Sequence, residues 1–316
     1  MTIAVITSLG DVTADLVLSE LHGRGVPVVR LDPAADLADT TRISVRVGGA
    51  AALTGTLSTA TRTAALDSVR AVYWRRPTPC PKPESPVEEF ATAQARAGFT
   101  GTLVALPTAL HVNHPSRNRA ADYKVAQLET ATALGLAVPE TLITTVPDDA
   151  RAFVAEQGKA IYKPVRPVHI NGADGRGRTV WTRTVTVEEL DESVALCPHL
   201  FQACVPKVAD IRLAAVGRDL FATRIDTRGD HLDWRWDQSL ITCTPMPIPR
   251  TVADAVRAYL DAFGLTFGAF DFALDPAGRW WFIECNPNGQ WAFVDPPTVD
   301  AITRALADTL EKGTPS

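Results

Sequence analysis

The chain has 316 residues, 46% hydrophobic and 21% charged, enough apolar material for two domains or one large domain with subdomains. Its net charge is −5, with 31 basic residues interspersed among 36 acidic ones, which argues against nucleic-acid binding by bulk electrostatics. No apolar run reaches the roughly 20 residues of a transmembrane helix, and the five cysteines show no CxxC spacing. A soluble protein of a reducing compartment, without a disulfide framework or a zinc site, is expected.

The N-terminal "TIAVITS" reads as a β-branched strand rather than a signal peptide, "DVTADLVLSELHGRG" as an amphipathic helix and "VPVVRLD" as a second strand. This βαβ unit predicts a parallel sheet. "RISVRVGG" and "AALTGTLST" read as a hairpin and "VRAVYWRRP" as a buried strand, followed by the Pro-rich loop "RRPTPCPKPESP" and the helix "VEEFATAQARAGFTGTLVAL". "NRAADYKVAQLETATALGL" has the period of one helix. The strand "VPETLITT", the helix "VPDDARAFVAEQG", the strand "KAIYKPV", the Gly-rich loop "NGADGRGR" and the strand "TVWTRTV" come next. From Leu200 the pattern is that of a meander: "LFQACV", "DIRLAAVG", "DLFATRID". The helix "TVADAVRAYLDAFG", the strands "FGAFDFALD" and "RWWFIECN" about the turn Pro276–Gly278, and a terminal helix complete the chain. The predicted fold is α/β with α+β subdomains, divided as 1–112, 113–199 and 200–316.

The last hairpin carries the chemistry. Asp271 and Glu284 fall nearly opposite one another about Ala277-Gly278, with Asn286 two residues beyond Glu284. Three oxygen ligands on two apolar strands suit Mg²⁺, which is held by one or two carboxylates together with substrate phosphates. The alternative, acids merely facing solvent, fits poorly with the flanking Trp, Phe and Ile. Upstream, Lys163 lies in an apolar strand, where an ammonium needs an anionic partner. The loop after it brings Gly172, Gly175 and Gly177, which permit close backbone approach to phosphate oxygens. It matches neither GxxxxGK[ST] nor GxGxxG and precedes a strand, so a P-loop or Rossmann reading is disfavoured. Lys124, alone, reads as a solvated helical lysine. Arg75 and Arg76 end a parallel strand where ligands often bind, and either contact substrate or hold a domain interface. His111 and His114 read as loop or cap residues.

Helix lysine, "YKP" lysine, Gly-rich loop, "DIR" and the C-terminal Asp, Glu and Asn occur in the order of the ATP-grasp superfamily, which this chain resembles over roughly residues 110–316. The resemblance implies an N-terminal βαβ pre-ATP-grasp subdomain, a central lid-bearing subdomain and a C-terminal antiparallel-sheet subdomain. It implies ATP between the last two, with Lys124 and Lys163 on the phosphates and Asp271, Glu284 and Asn286 on Mg²⁺, two ions in all. The hinge "FQACVPK" would meet adenine around Ala203, Cys204 and Val205. Gln202 stands where many relatives have Glu.

"YWRRP", "NHPSRNRAADYKVAQLETATALGLAVPETLIT" and above all "FDFALDPAGRWWFIECNPNGQW" are similar to the maturases of graspetides, the microviridin-type ribosomal peptides. That likeness implies a cytoplasmic ADP-forming ligase. It would activate Asp or Glu side chains of a precursor peptide (leader plus core) as acyl phosphates and join them to Ser/Thr hydroxyls or Lys amines. On that reading Arg212 is the first candidate for bringing the acceptor carboxylate to ATP, its alternative being an ion pair with Asp210 or Asp226. Arg235 is a weaker candidate for substrate contact. The acidic run Glu188, Glu189, Asp191 and Glu192 falls where the family holds the leader, although acids also suit a helix N-terminus. A homodimer is expected by likeness alone, and neither nucleic acid nor membrane is an expected partner. The rival readings are a carboxylate–amine ligase acting on a small molecule or a peptide terminus, and a nucleotide-binding module without turnover.

Overall fold

A computed structural model describes residues 1–33, 40–48, 53–78, 82–166, 169–171, 177–229 and 232–314. The predicted βαβ unit is present: β1 (Thr2–Ile6), α1 (Val12–Gly23) and β2 (Val28–Leu31), with Asp11 capping α1 by accepting from the Ala14 amide. The hairpin is β3 (Arg42–Val47) with β4 (Leu53–Ser58), extended by β5 (Thr63–Ala65). Next come β6 (Val69–Trp74), α2 (Pro86–Val104) and β7 (Leu110–Val112), a strand the sequence pattern does not announce. The parallel sheet runs β2-β1-β6-β7. Helix α2 buries only Phe99 and Leu103 against it.

The single helix expected around Lys124 is two: α3 (Pro115–Ala121) and α4 (Lys124–Ala133). Tyr123 between them is extended, and the chain is held there by Gln127. Its side-chain amide donates to the Ala121 carbonyl orphaned at the end of α3 (2.5 Å) and to the Cys285 carbonyl (2.9 Å), and accepts from the Cys285 amide (3.1 Å). The break therefore docks on the last strand and makes Lys124 the first residue of α4.

The central sheet has the order β12-β9-β13-β8, built from β8 (Thr141–Thr144), β9 (Ala160–Lys163), β12 (Arg183–Val185) and β13 (His199–Ala203), with α5 (Pro147–Gln157) packed on it through Phe153 and Val154. The strand expected at "TVWTRTV" is divided: Gly177–Thr179 forms β11, paired with β10 (His169–Asn171), and β12 begins at Arg183. "LFQACV" is not part of the meander. It is β13, seated between β9 and β8 and spanning the 199/200 division, because the Ala203 and Cys204 amides donate back to Glu140 and Lys159.

The meander starts instead at β14 (Ala209–Val216) and continues through β15 (Asp219–Thr227), β16 (Ile241–Pro245), α6 (Arg250–Phe263), β17 (Phe267–Leu274), β18 (Trp280–Asn286) and α7 (Pro296–Lys312). The antiparallel sheet order is β16-β15-β14-β17-β18. One face, with Ile211, Leu213, Phe270, Phe272 and Phe282, packs on α6 through Val256, Tyr259 and Leu260. The opposite face is divided. Ala214, Val216, Phe267 and Ala269 pack with Ile302, Leu306 and Leu310 of α7 and with Ile3 and Val5 of β1, while Asp210, Arg212, Asp271 and Ala273 line a cavity. This sheet joins the N-terminal unit to the site.

Candidate ATP and magnesium site

Along β17 the side chains alternate as a strand requires: Phe270, Phe272 and Leu274 enter the core, and Asp271 and Ala273 face the cavity. In β18, Trp280 and Phe282 enter the same core. Strict alternation would carry Glu284 in after them. It does not, because Asp271 is opposite Glu284 and Phe272 opposite Phe282, leaving Ile283 as an extra residue. This β-bulge shifts the phase by one, so Ile283, Glu284 and Asn286 all line the cavity while Cys285 is buried. The cross-strand acidic pair predicted from the turn is thus present, and the bulge is what makes it possible.

The cavity, of about 450 Å³, is bounded by β9 and the hinge on one side and by β14, β17 and β18 on the other. Arg212 Nη1 takes both oxygens of Asp271 (2.9 and 3.0 Å), with only 5% and 7% of the two side chains exposed. Its Nε and Nη2 both donate to the Gln290 carbonyl (3.1 and 2.6 Å), within "NPNGQW". Neither of its expected alternative partners is used: Asp210 pairs with Lys207 and Asp226 with Arg224. Lys124 reaches Glu284 from the first turn of α4. Arg235, on the short 3₁₀ turn Trp234–Trp236, contacts Asp271 and places the same Nη2 3.0 Å from Glu284 Oε1. Lys124, against the opposing effect of burial, and then Arg235 hold the Glu284 carboxyl well below the usual carboxylate range. Burial works against the Arg235 charge, but Asp271 and Glu284 outweigh it and raise its pKa.

Lys163 faces this cluster from β9, where its Nζ donates to the Gln202 side-chain oxygen (2.9 Å). Burial lowers its pKa to about 8. Gln202 is fully buried and donates its own amide to Thr141 Oγ1 (2.7 Å), so both ends of its side chain are engaged within the central sheet. The hinge residues Ala203, Cys204 and Val205 line the cavity, the amides of the first two already donated.

The other candidate residues separate clearly. Arg76 lines the cavity. Arg75 is 1% exposed and ties the N-terminal unit to the "NGQW" loop, donating to Thr13 Oγ1 (2.9 Å) and to the Gly289 carbonyl (3.0 Å), with Asp11 3.7 Å away. Gly289 has no room for a side chain, since a Cβ would lie 2.5 Å from both Ala269 Cβ and Arg212 Nη2. Gly177 opens β11 opposite Asn171, while Gly172 and Gly175 lie outside the described residues. The acidic run is away from the cavity on two 3₁₀ turns. There Glu189 pairs with Arg183 (2.7 Å), Glu192 with Arg151 (3.1 Å), and Asp191 caps the Ser193 amide, while Glu188 is exposed. His114 caps α3, as expected, and its neighbour His111 is pushed down to about 4 by burial and then by His114. Gln127, Gly289 and the Gln290 carbonyl are positions that hold the site together and are not singled out by sequence. A glutamine inside a helical pattern gives no local sign of a tertiary role, whereas the "NPNGQW" similarity already marked the loop.

No family model and no curated protein matches the sequence. Solved structures do. The RiPP-associated ATP-grasp ligase of Chryseobacterium gregarium, in complex with ADP and a leader and core peptide, is 25% identical with a TM-score of 0.87, over 99% of this chain and 97% of that one. The chain has the ATP-grasp fold. The same fold is found in the macrocyclase MdnC of Microcystis aeruginosa, bound with precursor peptide MdnA (26% identity, TM-score 0.85, 99% of this chain and 100% of that), and in MdnB of the same organism (25%, 0.77, 98% of each). In this ATP-grasp chain the cavity lies between the central and C-terminal sheets, with both lysines and the acidic pair on its walls. Among the described residues no group of three or more His, Cys, Asp or Glu could hold a metal ion. Two carboxylates in register and an adjacent amide oxygen form instead a hard-oxygen set that fits Mg²⁺ shared with a triphosphate. No helix among the described residues is long and apolar enough to cross a membrane.

Proposed function

We propose that the protein is an ATP-dependent ligase of ribosomal peptide maturation, forming ω-ester or ω-amide macrocycles in a precursor peptide. The observation that carries this is the bulged β17–β18 pair: Asp271 opposite Glu284, facing Lys124 and Lys163, with "NPNGQW" directly after. Whole-chain likeness to ligases solved with precursor, leader and core peptides supports the acceptor class. Three subdomains, 1–112, 113–199 and 200–316, ATP as cosubstrate, two Mg²⁺ ions and a cytoplasmic location belong to this reading.

Asp271, Glu284 and Asn286 would hold Mg²⁺, which when bound would supply charge neutralisation to the phosphates. Lys124 and Lys163 take the remaining phosphate charge from opposite walls. The hinge Ala203–Val205 borders adenine, and Gln202 keeps Lys163 in place rather than binding ribose. An acceptor carboxylate oxygen attacks the γ-phosphorus, and the bond from that phosphorus to the bridging β-oxygen breaks, releasing ADP. A Ser/Thr hydroxyl or Lys amine then attacks the acyl carbon, loses its proton, and phosphate leaves. Arg212 keeps Asp271 and the Gln290 carbonyl fixed at the acceptor side. Arg76 at the cavity wall, and Glu188, Glu189, Asp191 and Glu192 on the central subdomain, contact core and leader respectively.

Co-expression with short peptides encoded beside the gene, rich in Thr/Ser and Asp/Glu, tests this by mass spectrometry. The expected result is loss of one water mass per bond, abolished by Glu284→Gln. An unchanged mass for every such peptide would overturn it.

A further inference from the structure

Three cations contact the Asp271–Glu284 pair among the described residues, but they are held differently. Arg212 has all three guanidinium nitrogens engaged, one on Asp271 and two on the Gln290 carbonyl, and is buried. Lys124 is fixed at the start of a helix and touches Glu284 alone. Arg235 is the one that bridges both carboxylates. Its backing is local: its own neighbour Asp233, at 3.3 Å, and the Trp234 ring, 4.8 Å from the guanidinium carbon. Its side chain is still 35% exposed and lines the cavity.

Two consequences follow from this geometry. Asp271 and Glu284 cannot offer the same lone pairs to Arg235 and to a divalent cation, so turning to the cation releases the guanidinium. And Arg212 keeps its Nε–Nη2 face on the Gln290 carbonyl whether or not Asp271 turns to the cation, so that two-pronged face, the arrangement arginine recognises a carboxylate by best, is already taken. Resting on the ligase reading above, we propose that Arg235 is the acceptor-binding residue. It is held in reserve on the metal carboxylates and handed to the acidic side chain of the precursor when those carboxylates engage Mg²⁺-nucleotide. Mg²⁺ and the acceptor carboxylate are thereby coupled, nucleotide first and peptide second. The released guanidinium neutralises the carboxylate charge that otherwise opposes approach to the γ-phosphate.

The test is binding, not turnover. Mg²⁺ is titrated into protein with ADP, followed by calorimetry, for wild type and Arg235→Ala. Loss of the competing guanidinium should lower the half-saturating Mg²⁺ concentration severalfold. Binding of precursor peptide to the Mg²⁺·ADP form should weaken by about tenfold or more in Arg235→Ala and partly recover in Arg235→Lys, the range expected for a lost charge-assisted hydrogen bond. With a peptide whose acidic side chains are amidated, wild type and variant should bind alike. A half-saturating Mg²⁺ concentration that is unchanged or higher in Arg235→Ala, in protein with an unaltered circular dichroism spectrum, would overturn the reserve. An equal penalty for acidic and amidated peptides would overturn the handover. If the Mg²⁺ effect appears but no precursor is ever modified, it is the substrate reading that fails.

Discussion

Arg75 offers a quantitative test of how the N-terminal unit is fastened to the site. Its side chain is almost completely buried with Asp11, whose own side chain is 2% exposed. In Arg75→Ala, Asp11 keeps its bonds from Thr13 and the Ala14 amide but loses the cation it pairs with, and the Gly289 carbonyl loses its donor. Removing one partner of a buried ion pair costs about 3–5 kcal/mol. At about 2.1 cal/mol/K per residue, the 316 residues give an unfolding entropy of roughly 0.7 kcal/mol/K, so the melting temperature should fall by about 4–7 °C. Differential scanning calorimetry measures this, and the double variant Asp11→Asn/Arg75→Met should recover most of the loss, because an apolar replacement leaves no buried charge. A shift of less than about 2 °C in Arg75→Ala would refute the reasoning, and so would a double variant as unstable as the single one.

Lys163 gives a pH signature with two opposite signs. Its pKa in the folded state, about 8 because of burial, is below the ordinary lysine value, so nucleotide affinity should decline as pH rises past 8 and the ammonium is lost, and Lys163→Arg should remove that decline. Stability of the nucleotide-free protein should instead rise between pH 8 and about 10.5, where the unfolded chain binds the extra proton, as denaturant titration would reveal. Gly289→Ala should push the Arg212 guanidinium off Gln290 and cost about 1–3 kcal/mol of stability by overpacking, with peptide turnover falling far more than ADP affinity. Equal loss of both would contradict the placement of the "NGQW" loop on the acceptor side.

Much of this site is legible in the sequence because it depends on local rules. The turn at Pro276–Gly278 pairs the two strands and brings Asp271 and Glu284 to the same level to within one residue, and alternation in "KAIYKPV" puts Lys163 on the face opposite Ala160 and Tyr162. What escapes is whatever depends on contacts distant in the chain. The Ile283 bulge is invisible to a period-of-two reading, which would bury Glu284 after Phe282. The break before Lys124 interrupts a good helical pattern, and its cause, Gln127 bonded to Cys285, is 158 residues away. "LFQACV" has the pattern of a first meander strand, yet backbone pairing with β8 and β9 places it in the central sheet. Arg212 and Arg235 are recognisable as candidates, but their ranking depends on which nitrogens are already occupied, which the fold decides through the distant Asp271, Glu284 and Gln290.

The central claim is that ATP hydrolysed in this cavity activates peptide carboxylates. Its most direct test is to incubate purified protein with ATP, Mg²⁺ and a precursor peptide, and to measure ADP formed against water lost from the peptide in the same samples. The account predicts one ADP for each bond closed, with both products absent in Glu284→Gln. Water loss without ADP, or ADP formation that leaves the mass of every peptide unchanged, would contradict it.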